Sequence, residues 1–228
     1  MIGTLIDKQD GFERVRDAVA AILAVETVSQ QALAVAASKD PTPWELRVYE
    51  ERSDPWELFL NIEETIADDL PTTPIVNVWF ESSDFPGAQG GVVEKQLSEG
   101  TIVIDCYALG ISEDKPFGHL PGDLAAALEV QRAVRLCRNI LMAADYTYLA
   151  FDRGELVGSR WLEGLQMFQP QLNSETIQHV AGARLRLRVK YNETSPQIAG
   201  QPLEIFGATI KRGEDGSVYA ELEIDYTT

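Results

Sequence analysis

The side chains able to do acid–base, nucleophilic or metal chemistry are few and scattered. The two histidines, His119 and His179, lie far apart in sequence, and neither has a partner at metal-ligand spacing. His119 falls in a Gly/Pro-rich loop and reads as an ordinary loop histidine. The two cysteines, Cys106 and Cys137, sit in apolar segments outside any CxxC pair. They read as buried thiols, with a disulfide as the alternative that a cytosolic origin disfavours. No GxSxG elbow and no Walker A loop occurs. The glycines of Gly87 to Gly91 resemble a phosphate cradle only superficially. No Lys-Ser/Thr follows them, and they lie between two predicted strands instead of opening a helix. Asp105 is a carboxylate on a predicted strand, and acid catalysis there needs a partner supplied by the fold. The expectation is a protein without catalytic residues, metal or cofactor.

Charge patterning is more informative. Arg184, Arg186, Arg188 and Lys190 alternate with Leu185, Leu187, Val189 and Tyr191, which puts four cations on one face of a strand. Glu221, Glu223 and Asp225 alternate with Leu222, Ile224 and Tyr226 in the same way. Two readings stand side by side. These rows are the solvated, cross-strand-paired side of a sheet, each pair contributing about 0.2–1 kcal/mol. Or they are a subunit contact, the basic row of one copy meeting an acidic row of the next.

The elements that position these residues follow from periodicity. Phe12, Val15, Val19 and Ile22 predict a helix over residues 9–25; residues 30–37 are ambiguous between helix and strand. Asp40-Pro41-Thr42-Pro43 is a break. Residues 44–49 alternate like a strand, and Asp54-Pro55-Trp56-Glu57 opens a predicted helix running to about Asp69. Strands are predicted at 75–81 and 101–108, joined by a polar, Gly-rich stretch over 82–100. A helix is expected over 123–144, its buried stripe marked by Ala126, Val130, Val134, Cys137 and Leu141. Strands are then expected at 158–168, 183–191, 203–210 and 218–226, with a turn at Gly213-Glu214-Asp215-Gly216. The fold class that results is α+β: a mainly antiparallel sheet with helices packed on one face and a long hairpin or loop extension.

Composition sets the remaining bounds. The 228 residues suit one domain, with residues 37–72 as a candidate insertion. No apolar run is expected to reach the roughly 18 residues that span a bilayer, and the first ten residues lack a secretory pattern. A soluble, cytosolic chain is the expectation. The net charge of -17 is uneven: residues 1–120 hold 22 acidic and 8 basic side chains, residues 121–228 hold 14 and 11. Such an acidic chain is a poor ligand for phosphates, though it can surround DNA without adhering to it.

Several segments taken in order carry a resemblance. Thr73 to Glu81 (TPIVNVWFE), Thr101 to Ala108 (TIVIDCYA), the helix Leu124 to Met142, Gly158-Ser159-Arg160-Trp161, the basic alternating strand, and Tyr191 to Pro196 together resemble the tail terminator, or tail completion, proteins of long-tailed phages. The resemblance covers roughly residues 73–228 and is one of order and texture. It implies a virion protein, made in the host cytoplasm. Such a protein forms a ring, usually hexameric, on the head-proximal end of the tail tube, where it ends tube polymerisation. Its implied partners are its own copies, the tail tube protein, the head–tail connector or stopper, and a sheath or collar; DNA passes without specific binding and no membrane is involved. In that setting the subunit-interface candidates are Arg184, Arg186, Arg188, Lys190, Glu221, Glu223 and Asp225. The candidates for a loop facing the lumen or a neighbouring ring are Asp84, Gly87, Gly90, Glu94 and Glu99. Six copies would carry about -100, and an acidic lumen repels DNA and lets it slide. Two alternatives remain: another neck component such as a collar, gateway or head-completion protein, and a small hydrolase using Asp105, His119 and a second acid in a closed pocket.

Overall fold

The first helix, α1 (Gly11–Ala36), runs unbroken through the stretch whose periodicity fades after Val25. Its start is fixed by Asp10, whose N–H donates to the Glu13 carboxylate at 2.9 Å. Thr27 does not stop it, because its hydroxyl donates to the carbonyls of Leu23 and Ala24 inside the helix. The buried stripe continues to Ala34 while the opposite face turns apolar as well. An apolar-all-round helix loses the contrast from which a period is read. The expectation that no stretch reaches membrane-spanning length is corrected here. By length and composition α1 is apolar enough to cross a bilayer, with mean hydropathy 1.5, and 33% of that window is buried.

The computed structural model describes residues 7–59, 72–86, 95–116, 118–170, 179–194, 205–211 and 218–225. The chain divides into two units, Lys8–Ser195 and a second made of Met1–Asp7 with Pro196–Thr228. The first unit is α+β, as expected. Strands β1 (Arg47–Glu50), β2 (Ile75–Asp84), β3 (Lys95–Gly110), β6 (Val157–Phe168) and β7 (His179–Thr194) form one sheet in the order β1-β2-β3-β7-β6. Only the β1–β2 pair is parallel. The loop between β3 and the second helix holds a small ribbon, β4 (Glu113–Lys115) with β5 (Gly118–Leu120). The second helix, α2, spans Gly122–Leu141, and its predicted stripe from Ala126 to Leu141 is buried. In the second unit, β8 (Ile205–Lys211) pairs antiparallel with β9 (Val218–Asp225).

Both helices cover one side of the sheet. Val15, Val19 and Leu23 of α1 and Val130, Val134 and Cys137 of α2 pack on Val76, Val78, Ile102, Ile104, Leu185 and Leu187. Each fully buried aliphatic side chain there contributes about 1.5–3 kcal/mol. Cys106 and Cys137 are free thiols with sulfurs 4.0 Å apart in this layer. The contact with Cys137, together with burial, raises the Cys106 pKa well above the ordinary thiol value. The end of β3 touches the start of α2 so closely that a Cβ on Gly110 would collide with the Gly122 carbonyl oxygen and the Ala126 nitrogen.

The region 37–72 differs from expectation where it is described. Trp44 belongs to a 3-10 turn, Thr42–Trp44, and the strand begins only at Arg47. Pro55–Phe59 is a 3-10 helix; the rest of the predicted helix lies outside the described residues. These pieces are integral to the sheet. β1 is its edge, and Phe59 and Trp56 of the 3-10 helix pack with Ile75, Tyr107 and Leu109 at one end of the face that carries no α-helix.

Candidate assembly surface on the helix-free face

The register of the sheet decides what the helix-free face carries. Asn77, Asp105 and Arg184 stand side by side across β2, β3 and β7, as do Trp79, Val103 and Arg186. Thr101 pairs with Arg188 and Glu99 with Lys190. All four predicted cations therefore lie on this face, and each has an acidic partner within the chain. Arg184 grips Asp105 through two bonds of 2.8 Å. Arg186 reaches Glu81 at 3.1 Å. Arg188 donates to Glu99 at 2.9 Å, to Asp84 at 2.7 Å and to the Thr101 hydroxyl at 2.8 Å. Lys190 lies 3.6 Å from Glu99 and over the Trp161 ring. The Nε of Arg186 is buried and finds no partner among the described residues.

Two of the loop candidates are thereby relocated. Asp84 and Glu99 are not in a mobile connection: they face each other on paired strands that extend further than predicted, to Asp84 and from Lys95. The cause is Arg188, which binds both carboxylates and so favours continued pairing. Gly87, Gly90 and Glu94 lie outside the described residues. On the second hairpin, Glu221, Glu223 and Asp225 occupy alternating positions opposite Thr209, Gly207 and Ile205, so they share one face by register.

The hydrogen bond from Arg188 is the first cause that holds the Glu99 carboxyl below its ordinary range, with the charges of Arg188 and Lys190 adding to it. A carboxyl depressed in the folded state stabilises the fold above its unfolded pKa, and this contribution is lost as pH falls through the folded value. Glu99→Gln is therefore expected to be less stable than the parent at neutral pH. Urea midpoints measured at successively lower pH should converge once both carboxyl values have been passed. A gap that stays constant down to acid pH would show that the charge of Glu99 is not what stabilises.

At the Arg184 end of the row lies a shallow cavity of about 300 Å³, lined by Glu51, Arg52, Trp56, Asn77, Trp79, Asp105, Tyr107 and Arg184. Asp105 is 2% exposed. Besides Arg184 it accepts the Trp79 indole N–H at 3.0 Å, and the Tyr107 hydroxyl points to it at 3.4 Å. The Arg184 guanidinium is stacked between Trp79 and Phe168, at 5.2 and 5.6 Å from the ring centres. Asn77 fastens Arg52 to the sheet, its amide bonding both the Arg52 N–H and the Arg52 carbonyl. Both carboxylate oxygens of Asp105 therefore accept hydrogen bonds, Oδ1 from Arg184 and Oδ2 from Arg184, Trp79 and Tyr107. Burial and the nearby Asp105 charge raise the Tyr107 hydroxyl pKa, so it stays protonated.

The hydrolase set does not assemble. His119 is exposed on the small β4–β5 ribbon, where its ring meets Asp114 at 2.7 Å, an acidic partner that sequence spacing had not suggested. No group of three metal-ligating side chains occurs among the described residues. The residues that sequence reasoning missed are Glu81, Trp79 and Thr101. Their signal was present: Trp79, Glu81, Thr101 and Asp105 lie in phase on strands of known partners. It becomes readable only once the strand ends and the register are fixed. No protein-family model and no curated protein matches the chain.

Proposed function

We propose that this chain is the subunit of a ring at the head-proximal end of a phage tail tube, ending tube growth and joining the tail to the head connector while DNA passes through. One observation carries the reading: the segments that resemble tail terminators are the ones that build β2, β3, β6, β7 and α2, a continuous four-strand block with its covering helix. The work of such a subunit is interface work. It needs a stiff sheet and surfaces with fixed charge, and the ion-paired face supplies both.

The test is assembly. Native mass spectrometry and negative-stain images of the purified chain, alone and with tail tubes, are expected to show a closed ring. Removing the gene is expected to produce over-long tails. Monomers in both preparations would overturn the reading. Tails of normal length that fail to join heads would favour a different neck component, such as a collar, gateway or head-completion protein.

A further inference from the structure

α1 carries a second surface that the ion-paired face does not explain. Ala21, Val25, Val28, Ala32 and Val35 recur at spacings of four, three, four and three, which places them on one face. All five are exposed; Val25, Val28 and Val35 are 62%, 65% and 62% open to solvent. The only charged residue between Ala18 and Ala36 is Glu26, which lies on the far side and accepts a hydrogen bond from the Tyr146 hydroxyl at 2.5 Å. These five side chains form one apolar stripe that no charge interrupts, the kind of contiguous exposed patch that marks an interaction site.

A different element of the same chain offers the counterpart. Leu165 and Met167 of β6 pair in register with Leu185 and Ala183, so they lie on the helix-bearing side of the sheet. They are nevertheless 56% and 44% exposed, because neither helix reaches that edge. On the same side, α2 exposes Leu128 at 52%. Arg135 and Arg138 on its outer face have no partner among the described residues. The lengths match: Ala21 to Val35 spans about 21 Å of helix, and Leu162 to Phe168 about 20 Å of strand. The charges match as well. α1 has no basic residue in its last turn, and the field at that end of the helix favours a nearby cation.

We infer that the apolar face of α1 seats on the β6–α2 edge of a second copy of this chain, head to tail, with Arg135 and Arg138 of that copy beside the end of the helix. The inference deepens the ring reading and rests on it, since a contact between unlike faces of identical chains repeats into a ring or a filament. A contact of α1 with α1 would leave the β6 edge bare.

The full chain tests it. Val28→Asp is expected to lower the association constant by at least about tenfold, read by sedimentation velocity, because the contact buries an unpaired charge. Circular dichroism and melting temperature should hold, since Val28 is exposed in the monomer. Mixing Val28→Cys with Leu165→Cys chains should give disulfide-linked dimers under mild oxidation only in the mixture; the native Cys106 and Cys137 are fully buried and do not compete. Rings of Val28→Asp as stable as the parent's overturn the contact while leaving the ring reading intact. Dimers from Val28→Cys alone assign α1 to a symmetric contact and overturn it too. A parent chain that stays monomeric, yet floats with anionic lipid vesicles until Val28→Asp is made, assigns the face to a membrane. A parent that is monomeric even with tail tubes removes the ring reading before any variant is compared.

Discussion

Asp105→Ala is expected to cost about 3 kcal/mol of stability, the scale for breaking a buried ion pair by removing one partner. The substitution leaves three donors unserved at once: the Arg184 guanidinium, the Trp79 indole N–H and the Tyr107 hydroxyl. Arg184 is 31% exposed, so water recovers part of its loss, whereas Asp105 at 3% side-chain exposure had almost none to lose. Urea denaturation of the single variant measures the effect. The paired change Asp105→Leu with Arg184→Met separates charge from space. It removes both charges and is expected to restore the share lost at Arg184, while the Trp79 N–H and the Tyr107 hydroxyl stay unserved. A double variant as unstable as Asp105→Ala would mean that the loss lies with the Trp79 and Tyr107 donors and the stacking of Arg184, and not with its charge.

Gly110→Ala is the second large effect. A methyl group there meets backbone atoms of α2, the Gly122 oxygen and the Ala126 nitrogen, and not the yielding end of a side chain. To admit it, α2 must move away from β3 and loosen the layer formed by Ala126, Val130 and Cys106. Overpacking of this kind costs about 1–3 kcal/mol, and the upper end applies because backbone has to shift. The expected readout is a lower melting temperature with unchanged circular dichroism. Gly158→Ala is a fair comparison, since its nearest neighbour to an added Cβ is the Lys190 carbonyl at 3.6 Å, an ordinary contact. Equal melting temperatures for the two variants would remove the close approach as a constraint.

Much of this fold was readable because one side of the sheet is buried and the other is not. Leu185, Leu187 and Val189 against Arg184, Arg186 and Arg188 give a clean period of two, and the register then follows from which side meets the helices. α2 was readable for the same reason: its polar residues lie away from its buried stripe. α1 was cut short where its outer face becomes as apolar as its inner one. The failure and the exposed surface are thus one fact seen twice, since a face left apolar for a partner erases the pattern that marks a soluble helix. The strand ends at Asp84 and Lys95 were hidden because Gly and polar residues signal a turn locally, whereas Arg188, 89 positions from Glu99 and 104 from Asp84, binds both carboxylates there. The site itself was half legible. The cations were evident, but not that Asp105, Glu81, Asp84 and Glu99 of the same chain already hold them. Charge reversal at Arg186 and Arg188 consequently disturbs fold and assembly together, and α1 is the cleaner place to ask about assembly.

The two shifts of register in β6 have a wider bearing. They fall after Val157 and after Leu162, on the long edge of the sheet, and the strand between them and its end carries Glu163 and Gly164. Bulges twist an edge and interrupt its row of free amides and carbonyls. Before assembly, a subunit with a straight twelve-residue edge would join its neighbours through backbone alone, without limit and without regard to side chains. The irregular edge keeps the free pool from such growth and leaves association to faces that must fit. In the ring proposed above, the same irregular edge would keep a subunit that ends a polymer from starting one.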